Sequence, residues 1–233
     1  MPQADLASPD AKTIQSLFNA ISDRYDFLNS FLSFKLERRW RRKLVDSAVE
    51  GHERSMLDIG VGTGTSLQEF LRKKQFATAV GVDFSVNMLQ IAAKKLNQSN
   101  LAAADLHALP FQDNSFDLVT SSFVLRSVKQ MDFFLQEVKR ILKPSGKFAF
   151  LDLTRPRNPL FWHLIYRPYL NYYLPVMGRL VSRHPNAYQF LSQSIQTFME
   201  PEALKVKIAR SGFCDIRLIS LSFGAATILI GKK

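Results

Sequence analysis

The chain has 233 residues, enough for one sizeable domain and too few for two ordinary ones. Its 46% hydrophobic and 22% charged residues exclude a disordered polymer, and its single cysteine, Cys214, excludes an internal disulfide. The net charge of +11 attracts an anionic partner, whether nucleic acid, lipid surface or acidic substrate, without choosing among them. Four scattered histidines, none at ligand spacing from Cys214, give no metal site. The start, MPQADLASPD, lacks the basic-then-apolar pattern of a secretory leader. The longest nearly uncharged stretch, Leu218 to Ile230, is too short and too interrupted by Ser and Gly to span a bilayer. These features point to a cytoplasmic enzyme.

The first 51 residues read as a helical extension. Thr13 caps a helix carrying Ile14, Leu17, Phe18 and Ile21 on one face, and a second helix follows from Leu36 to Val49, with Gly51 as its stop. That second helix holds ERRWRRKL (Glu37–Leu44), which is either a solvated face with Trp40 turned inward or a surface for an anion such as a membrane. From Ser55 the pattern alternates. MLDIG, ATAVGVD, NLAAAD, FDLVTSSF and KFAFLDL read as strands; SLQEFLRKK, VNMLQIAAKKL and DFFLQEVKRILK read as the helices between them, and PSG turns the chain before the fifth strand. Such alternation means a parallel sheet with helices on both faces. EALKVKIARSG is a further helix, and CDIRLISLSF with AATILIGKK forms a closing hairpin, so one C-terminal strand runs antiparallel in a seven-stranded, mostly parallel sheet.

Residues 155–199 interrupt this rhythm with aromatic, basic and proline-rich sequence, and an insertion of that length is usually functional. Within it FWHLIYRPYLNYYLP (161–175) has six aromatics in fifteen residues. Trp162, Tyr166, Tyr169 and Tyr173 fall at helical spacing, and Pro168 is expected to break or kink that helix. The domain boundaries are therefore one α/β domain over 1–233, with an N-terminal helical extension (1–51) and a helical cap inserted at 155–199.

The first strand ends at Asp58 in the loop Gly60-Val61-Gly62-Thr63-Gly64. A glycine loop at a strand's carboxyl end lets backbone approach a ligand closely. The spacing fails the dinucleotide pattern G-x-G-x-x-G, since Thr65 stands where the third glycine is needed, and no Gly-Lys-Ser/Thr follows for a phosphate cradle. An acid followed by G-x-G-x-G resembles the first motif of class I S-adenosylmethionine-dependent methyltransferases. Asp83, at the end of the second strand, suits a ribose diol. Asp105 and the Leu106 N–H, at the end of the third, suit an adenine edge. A sulfonium ligand carries positive charge and no phosphate, so carboxylates rather than lysines are the fitting residues.

Longer segments narrow the resemblance: FNAISDRYDFLNSFLSFKLERRWRR, ALPFQDNSFD, SFVLRSV, LKPSGKFAFLDLTRP and YYLPVMGRLVSRHPNAYQFLSQSI. Together they resemble the ubiquinone/menaquinone biosynthesis C-methyltransferase family from about Phe18 to the C-terminus. The resemblance implies a Rossmann-like fold, S-adenosylmethionine as methyl donor and a prenylated quinol as acceptor. Thr63, Asp83, Asp105, Leu106 and Ser122 match the family's cofactor-binding positions. Ser127 departs from the family's usual Asn, and Arg155-Pro156 from its frequent Lys-Pro.

Methylating an aromatic carbon requires electron density there. A quinol supplies it once its hydroxyl, with a pKa near ~10, loses its proton. The site must stabilise that oxyanion or supply a base. Arg126, just past the fourth strand, is the candidate oxyanion stabiliser because arginine stays protonated. Tyr25 is the second candidate, as a hydrogen-bond partner of the quinol oxygen, and His163 and His184 are weaker ones. The cap would shield the ring and guide its prenyl tail, with Arg155, Arg157, Arg179 and Arg183 resting on anionic headgroups at the inner face of the membrane. Nucleic acid is not the expected substrate, because the place after the fourth strand reads TSSFVLR rather than Asn/Asp-Pro-Pro-aromatic. A quinone- or lipid-binding protein with a relic cofactor site is disfavoured by the intact Asp83 and Asp105. Another small-molecule methyltransferase on the same fold stays open, as does the choice between menaquinone and ubiquinone precursors.

Overall fold

The computed structural model describes residues 25–97, 100–181 and 185–233. The helix expected around Thr13 lies outside them. Seven strands form one sheet in the order β3-β2-β1-β4-β5-β7-β6. They are β1 (Ser55–Ile59), β2 (Thr78–Asp83), β3 (Leu101–Ala103), β4 (Phe116–Ser122), β5 (Leu142–Leu153), β6 (Cys214–Leu221) and β7 (Ala226–Lys232). β1 to β5 pair in parallel, and β7 runs antiparallel to both β5 and β6. The closing hairpin and its antiparallel strand are as expected. The PSG turn is instead absorbed into β5. The ladder steps from Phe116↔Leu142 to Leu118↔Lys147, so Lys143 to Gly146 form a bulge, with Ser145 at φ 62°.

Helices α1 (Tyr25–Leu32) and α2 (Leu36–Ala48) precede the sheet. α3 (Thr65–Lys73), α4 (Val86–Leu96) and α5 (Met131–Ile141) follow β1, β2 and β4, and α8 (Pro201–Arg210) precedes β6. β1 is buried at every position, as a central strand covered on both faces is. Its alternate side chains supply two cores. Leu57 and Ile59 pack with Phe134, Val138, Leu204 and Ile208 from α5 and α8. Met56, on the other face, packs with Trp40, Leu44, Leu67 and Phe70 from α2 and α3.

The insertion forms a third, smaller core above the carboxyl edge of the sheet. Its first part, α6, is one helical run over 159–181, and α7 (Pro185–Thr197) follows. α6 starts as α-helix at Pro159–Phe161, passes through π-helical turns at Trp162–Tyr166 and Tyr169–Tyr173, and ends as α-helix at Leu174–Val181. Pro168 therefore does not break the helix. It sits between two π-turns, where i→i+5 bonding takes over from the ladder its missing N–H would interrupt. Trp162, Tyr166, Leu170 and Leu174 bury themselves against Leu28 and Leu32 of α1 and Tyr188 and Ile195 of α7.

Candidate active site

The glycine loop leaves the sheet between β1 and β4, where the strand order reverses and open α/β sheets place their ligands. Gly60, Gly62 and Gly64 have φ of 68°, 54° and 81°, the left-handed region that favours glycine. A Cβ at Gly60 would collide with Val124, and one at Gly64 would stand 2.9 Å from Leu96 Cδ1. One at Gly62 would meet nothing within 4 Å, so the loop is packed at its ends and open at its middle.

Asp83 lies beside that opening, nine-tenths buried. Its Oδ2 accepts the Gly62 N–H at 2.8 Å and its Oδ1 accepts the Ser85 N–H at 2.9 Å. Burial raises its pKa, and these backbone bonds only partly oppose that. Asp58, at the end of β1, is more extreme. Burial pushes its carboxyl up to about 7, with the charge of Asp83 adding to the shift and Arg41 opposing it, and Oδ1 has no hydrogen-bond partner. Ser122 Oγ is also buried without a partner. Asp105 differs. It is exposed, and its Oδ1 accepts both the N–H and Nδ1 of His107 at 2.9 Å, which hold the carboxyl below its ordinary pKa. Leu106 follows it, partly buried against the sheet core. Dehydrated carboxylates, orphaned hydroxyls and an open backbone loop without a phosphate cradle fit a cationic, hydroxyl-rich ligand such as S-adenosylmethionine.

Thr63 reaches that loop from an unexpected side. Its hydroxyl donates to Asp26 Oδ1 at 2.6 Å, while Lys95 Nζ reaches Asp26 Oδ2 at 2.5 Å and Thr65 Oγ1 at 2.8 Å. Burial works against the Asp26 charge, but the Lys95 and Thr63 bonds outweigh it and lower its pKa. This cluster ties α1 to α3 and α4 across the loop. Asp26 belongs to the FNAISDRYDFLNSFLSFKLERRWRR segment that helps carry the resemblance, so its neighbourhood was marked in the sequence; nothing there marked Lys95. Tyr25 opens α1, and its side chain lies outside the described residues, as does His184.

Arg126 occupies a 3-10 turn, Leu125–Ser127, after β4. Its guanidinium is buried and donates to Asp152 Oδ1 at 2.5 Å and to the Phe123 carbonyl at 2.8 Å. Its Nε has no partner. The salt-bridge and cavity roles thus coincide, because Arg126 also lines a cavity of about 420 Å³. α1, α2, the Phe123–Arg126 turn, α6 and the β6–β7 turn enclose it, with Trp40, Phe123, Tyr166 and Tyr169 among its aromatic walls. Tyr169 donates to the Leu32 carbonyl at 2.8 Å and Tyr166 to that of Ala225 at 3.3 Å; burial pushes both phenols up. His163 is exposed on α6 and is not among the cavity walls. Ser127 Oγ is buried with no partner, so the hydroxyl that replaces the family's amide forms no bond here.

The α2 cluster splits. Trp40 turns inward, as the solvated-face reading requires, with Nε1 donating to Ser222 Oγ at 2.9 Å. Glu37 and Arg41 are buried as well, which the sequence did not mark, while Arg38, Arg39, Arg42 and Lys43 stay exposed. Arg41 donates to Ser66 Oγ and stacks 4.8 Å over the Phe123 ring. It stands between the glycine loop and the aromatic cavity.

Fold and site together define a class I S-adenosylmethionine-dependent methyltransferase. A crystal structure from Thermotoga maritima, described as a SAM-dependent methyltransferase and possible histamine N-methyltransferase, superposes with a TM-score of 0.65 at 20% identity, covering 94% of this chain and 99% of the other. The [4+2]-cyclase SpnF superposes with a TM-score of 0.69 at 14% identity, covering 97% of both chains, so the fold alone does not fix the chemistry. Sequence goes further. A demethylmenaquinone methyltransferase of Thermus thermophilus is 38% identical over 93% of this chain and 100% of its own. A ubiquinone/menaquinone biosynthesis C-methyltransferase of Geotalea uraniireducens is 37% identical over 94% of this chain and 96% of its own. The ubiE/COQ5 methyltransferase family matches residues 6–233, and this chain belongs to it.

Two measurements follow from the buried charges. Folded Asp58 binds its proton more tightly than the unfolded carboxyl at 3.8, so the stability it lends is full below 3.8 and is lost as pH rises through about 7. Urea unfolding of the ligand-free protein should show stability falling by up to about 4 kcal/mol between roughly pH 4 and pH 8 from this group, and Asp58→Asn should flatten the slope. An unaltered slope in Asp58→Asn would assign it elsewhere. Arg126→Met should cost about 3–5 kcal/mol by stranding Asp152, and Arg126→Met/Asp152→Leu should recover most of it. Methyl transfer should remain depressed in the restabilised double variant; recovered activity would make the pair purely structural.

Proposed function

We propose that this chain transfers a methyl group to a ring carbon of a prenylated quinol in respiratory quinone biosynthesis, and that the acceptor is demethylmenaquinol. The observation that carries this reading is the aromatic-walled cavity with a buried guanidinium beside the glycine loop. Its volume of about 420 Å³ suits a bicyclic ring and the first part of a tail. The Thermus and Thermotoga maritima relatives described as demethylmenaquinone methyltransferases support the choice of acceptor.

When bound, S-adenosylmethionine supplies an electrophilic methyl group on a sulfonium. Asp83 accepts the ribose hydroxyls through its remaining lone pairs, and Asp105 and the Leu106 N–H receive the adenine edge. Gly60, Gly62 and Gly64 bring backbone to the ligand, with Thr63, Asp58 and Ser122 completing the cradle. Arg126 holds the quinol oxygen through its unpartnered Nε–H and stabilises the anion that raises electron density on the neighbouring carbon. Tyr25 is the second hydrogen-bond partner proposed for that oxygen. The cap at 155–199 covers the ring and excludes water.

No helix among the described residues is long and apolar enough to cross a membrane. The cavity instead has exposed apolar side chains in its wall, Phe34, Ile165 and Phe223, and α6 exposes Leu160 and Leu164 close to Ile165 in sequence; together they form an apolar lip. Phe223 is 82% exposed and held at φ 59° in the β6–β7 turn, a costly conformation for a bulky residue. Lys35, Arg38 and Arg39, which follow Phe34 in sequence, and Arg167, which follows Ile165, are exposed. The lip rests on anionic bilayer at its cytoplasmic face, where a tail can pass from lipid to cavity. This reassigns the membrane-facing role within the cap. Trp162 and Tyr166 are buried, Arg155 stacks 4.8 Å over Trp162, and Arg157 pairs with Glu202 at 3.3 Å. The side chains of Arg179 and Arg183 lie outside the described residues.

Labelled methyl transfer to demethylmenaquinone and to ubiquinone-precursor acceptors, each reduced and oxidised, tests the reaction. Reduced demethylmenaquinone should be the preferred acceptor, and oxidised acceptors should give less than roughly a tenth of its rate, since only a quinol forms the oxyanion. Equal turnover of both redox forms would sink the mechanism. For the lip, Leu164→Glu/Ile165→Glu should abolish sedimentation with phosphatidylglycerol vesicles and leave S-adenosylmethionine binding by calorimetry intact. Undiminished sedimentation would place the membrane face elsewhere.

A further inference from the structure

The reaction proposed above leaves one requirement unmet: a group to take the quinol's proton. Arg126 cannot, because a guanidinium stays charged, and here it is already bonded to Asp152. Tyr166 and Tyr169 cannot either. Their hydroxyls donate to backbone carbonyls, and burial disfavours their anions. Among the described residues lining the cavity, one carries a carboxylate: Glu37, on the first turn of α2.

Glu37 is built into the wall. It is 8% exposed, although it belongs to a run whose neighbours Arg38 and Arg39 face solvent. The Ser33 hydroxyl donates to its Oε2 at 2.5 Å, from the short link between α1 and α2, which fixes the carboxylate plane. Oε1 has Arg38 Nε at 3.7 Å, beyond a hydrogen bond. Arg41 lies one helical turn further along the same wall, Arg126 lines the cavity from the sheet, and Tyr166 and Tyr169 line it from α6. A carboxylate facing an aromatic cavity with two cations in its walls is placed to accept a proton.

We propose that Glu37 is the general base of this enzyme, a catalytic residue in direct contact with the quinol hydroxyl. The O–H bond breaks, its proton passes to Glu37, and the electron pair stays on oxygen, where the Arg126 Nε–H holds it. The ring carbon takes the methyl group as the methyl–sulfur bond breaks with its electron pair left on sulfur, and that carbon's own proton then leaves to water as aromaticity returns. Glu37 then gives its proton back to the product oxygen, so one proton is released per turnover and the carboxylate is regenerated.

The inference rests on the quinol reading, and the wild-type enzyme with reduced demethylmenaquinone is the arm that tests that reading by itself. With that activity in hand, Glu37→Gln keeps an acceptor for Ser33 and should lower kcat by roughly 10²- to 10⁴-fold. Its affinity for S-adenosylmethionine by calorimetry should be unchanged. Glu37→Ala opens space beside the ring, and formate should restore its activity in a saturable way. Wild-type-like kcat in Glu37→Gln would overturn the proposal. Loss in Glu37→Gln without rescue of Glu37→Ala by formate, both proteins being folded by circular dichroism, would also overturn it in favour of a packing role.

Discussion

The ion pair of Arg126 and Asp152 is the constraint on which the site depends. Asp152, near the end of β5, accepts from the Arg126 guanidinium, the Arg126 N–H at 3.2 Å and the Leu153 N–H at 2.7 Å. Arg126 in turn grips the carbonyl of Phe123, whose N–H is held by Leu151. These bonds keep Phe123 at φ 65°, a conformation that a bulky residue avoids unless its surroundings impose it. The Phe123 ring then lies against Trp40 at 6.4 Å and under Arg41, which reaches Ser66 at the start of α3. One buried charge pair therefore docks α2 on the sheet and connects the aromatic cavity with the glycine loop. Burying such a pair is expensive and is seldom favoured for stability alone. Its value is specificity: it fixes where a guanidinium stands relative to the cavity wall.

The two sides of Arg41 are electrostatically opposite. Toward the glycine loop stand Asp58 and Asp83, both with carboxyls that burial holds in a costly state. Toward the cavity stand aromatic walls with Arg126 and Arg41. A cationic ligand on the first side relieves the carboxylates, and an anionic oxygen on the second is met by guanidinium. The methyl-transfer partners carry those two charges, positive on the donor and developing negative on the acceptor, so the protein's field is arranged before either arrives.

Most of the sheet was legible because alternating short apolar runs and amphipathic helices have few other solutions. The loop with Asp58, Gly60, Gly62 and Gly64 was legible for a different reason: its spacing excluded the phosphate-binding alternatives. What the sequence hid was long-range pairing. Asp152 is one acid at the end of an apolar strand, and only the fold brings it to Arg126, 26 residues earlier. Glu37 and Arg41 read as members of a solvated cluster, because helical spacing sets a face but not how far that face is covered. Arg41 is covered by Ser66 and Phe123, and Glu37 sits in the wall of a cavity that α6 and the β6–β7 turn help to close, so their burial depends on contacts only the fold brings together. The bulge at Lys143 to Gly146 was likewise invisible, since Pro-Ser-Gly signals a turn but not whether pairing resumes beside it.

The aromatic helix of the cap shows how one segment serves both wall and lip. Its buried residues, Trp162, Tyr166, Leu170 and Leu174, are spaced by four. Around an α-helix of 3.6 residues per turn such a repeat drifts by about 40° per step, and three steps would carry the last residue off the inward face. The two π-turns hold more residues per turn and cancel that drift, which keeps all four against α1 and α7. The same geometry leaves Leu160, Leu164 and Ile165 together on the outward side. In a regular α-helix the inward and outward stripes would spiral around each other and blur. Held apart by the π-turns, one stripe closes a cavity while the other stays exposed, so a single helix carries both faces without either interrupting the other.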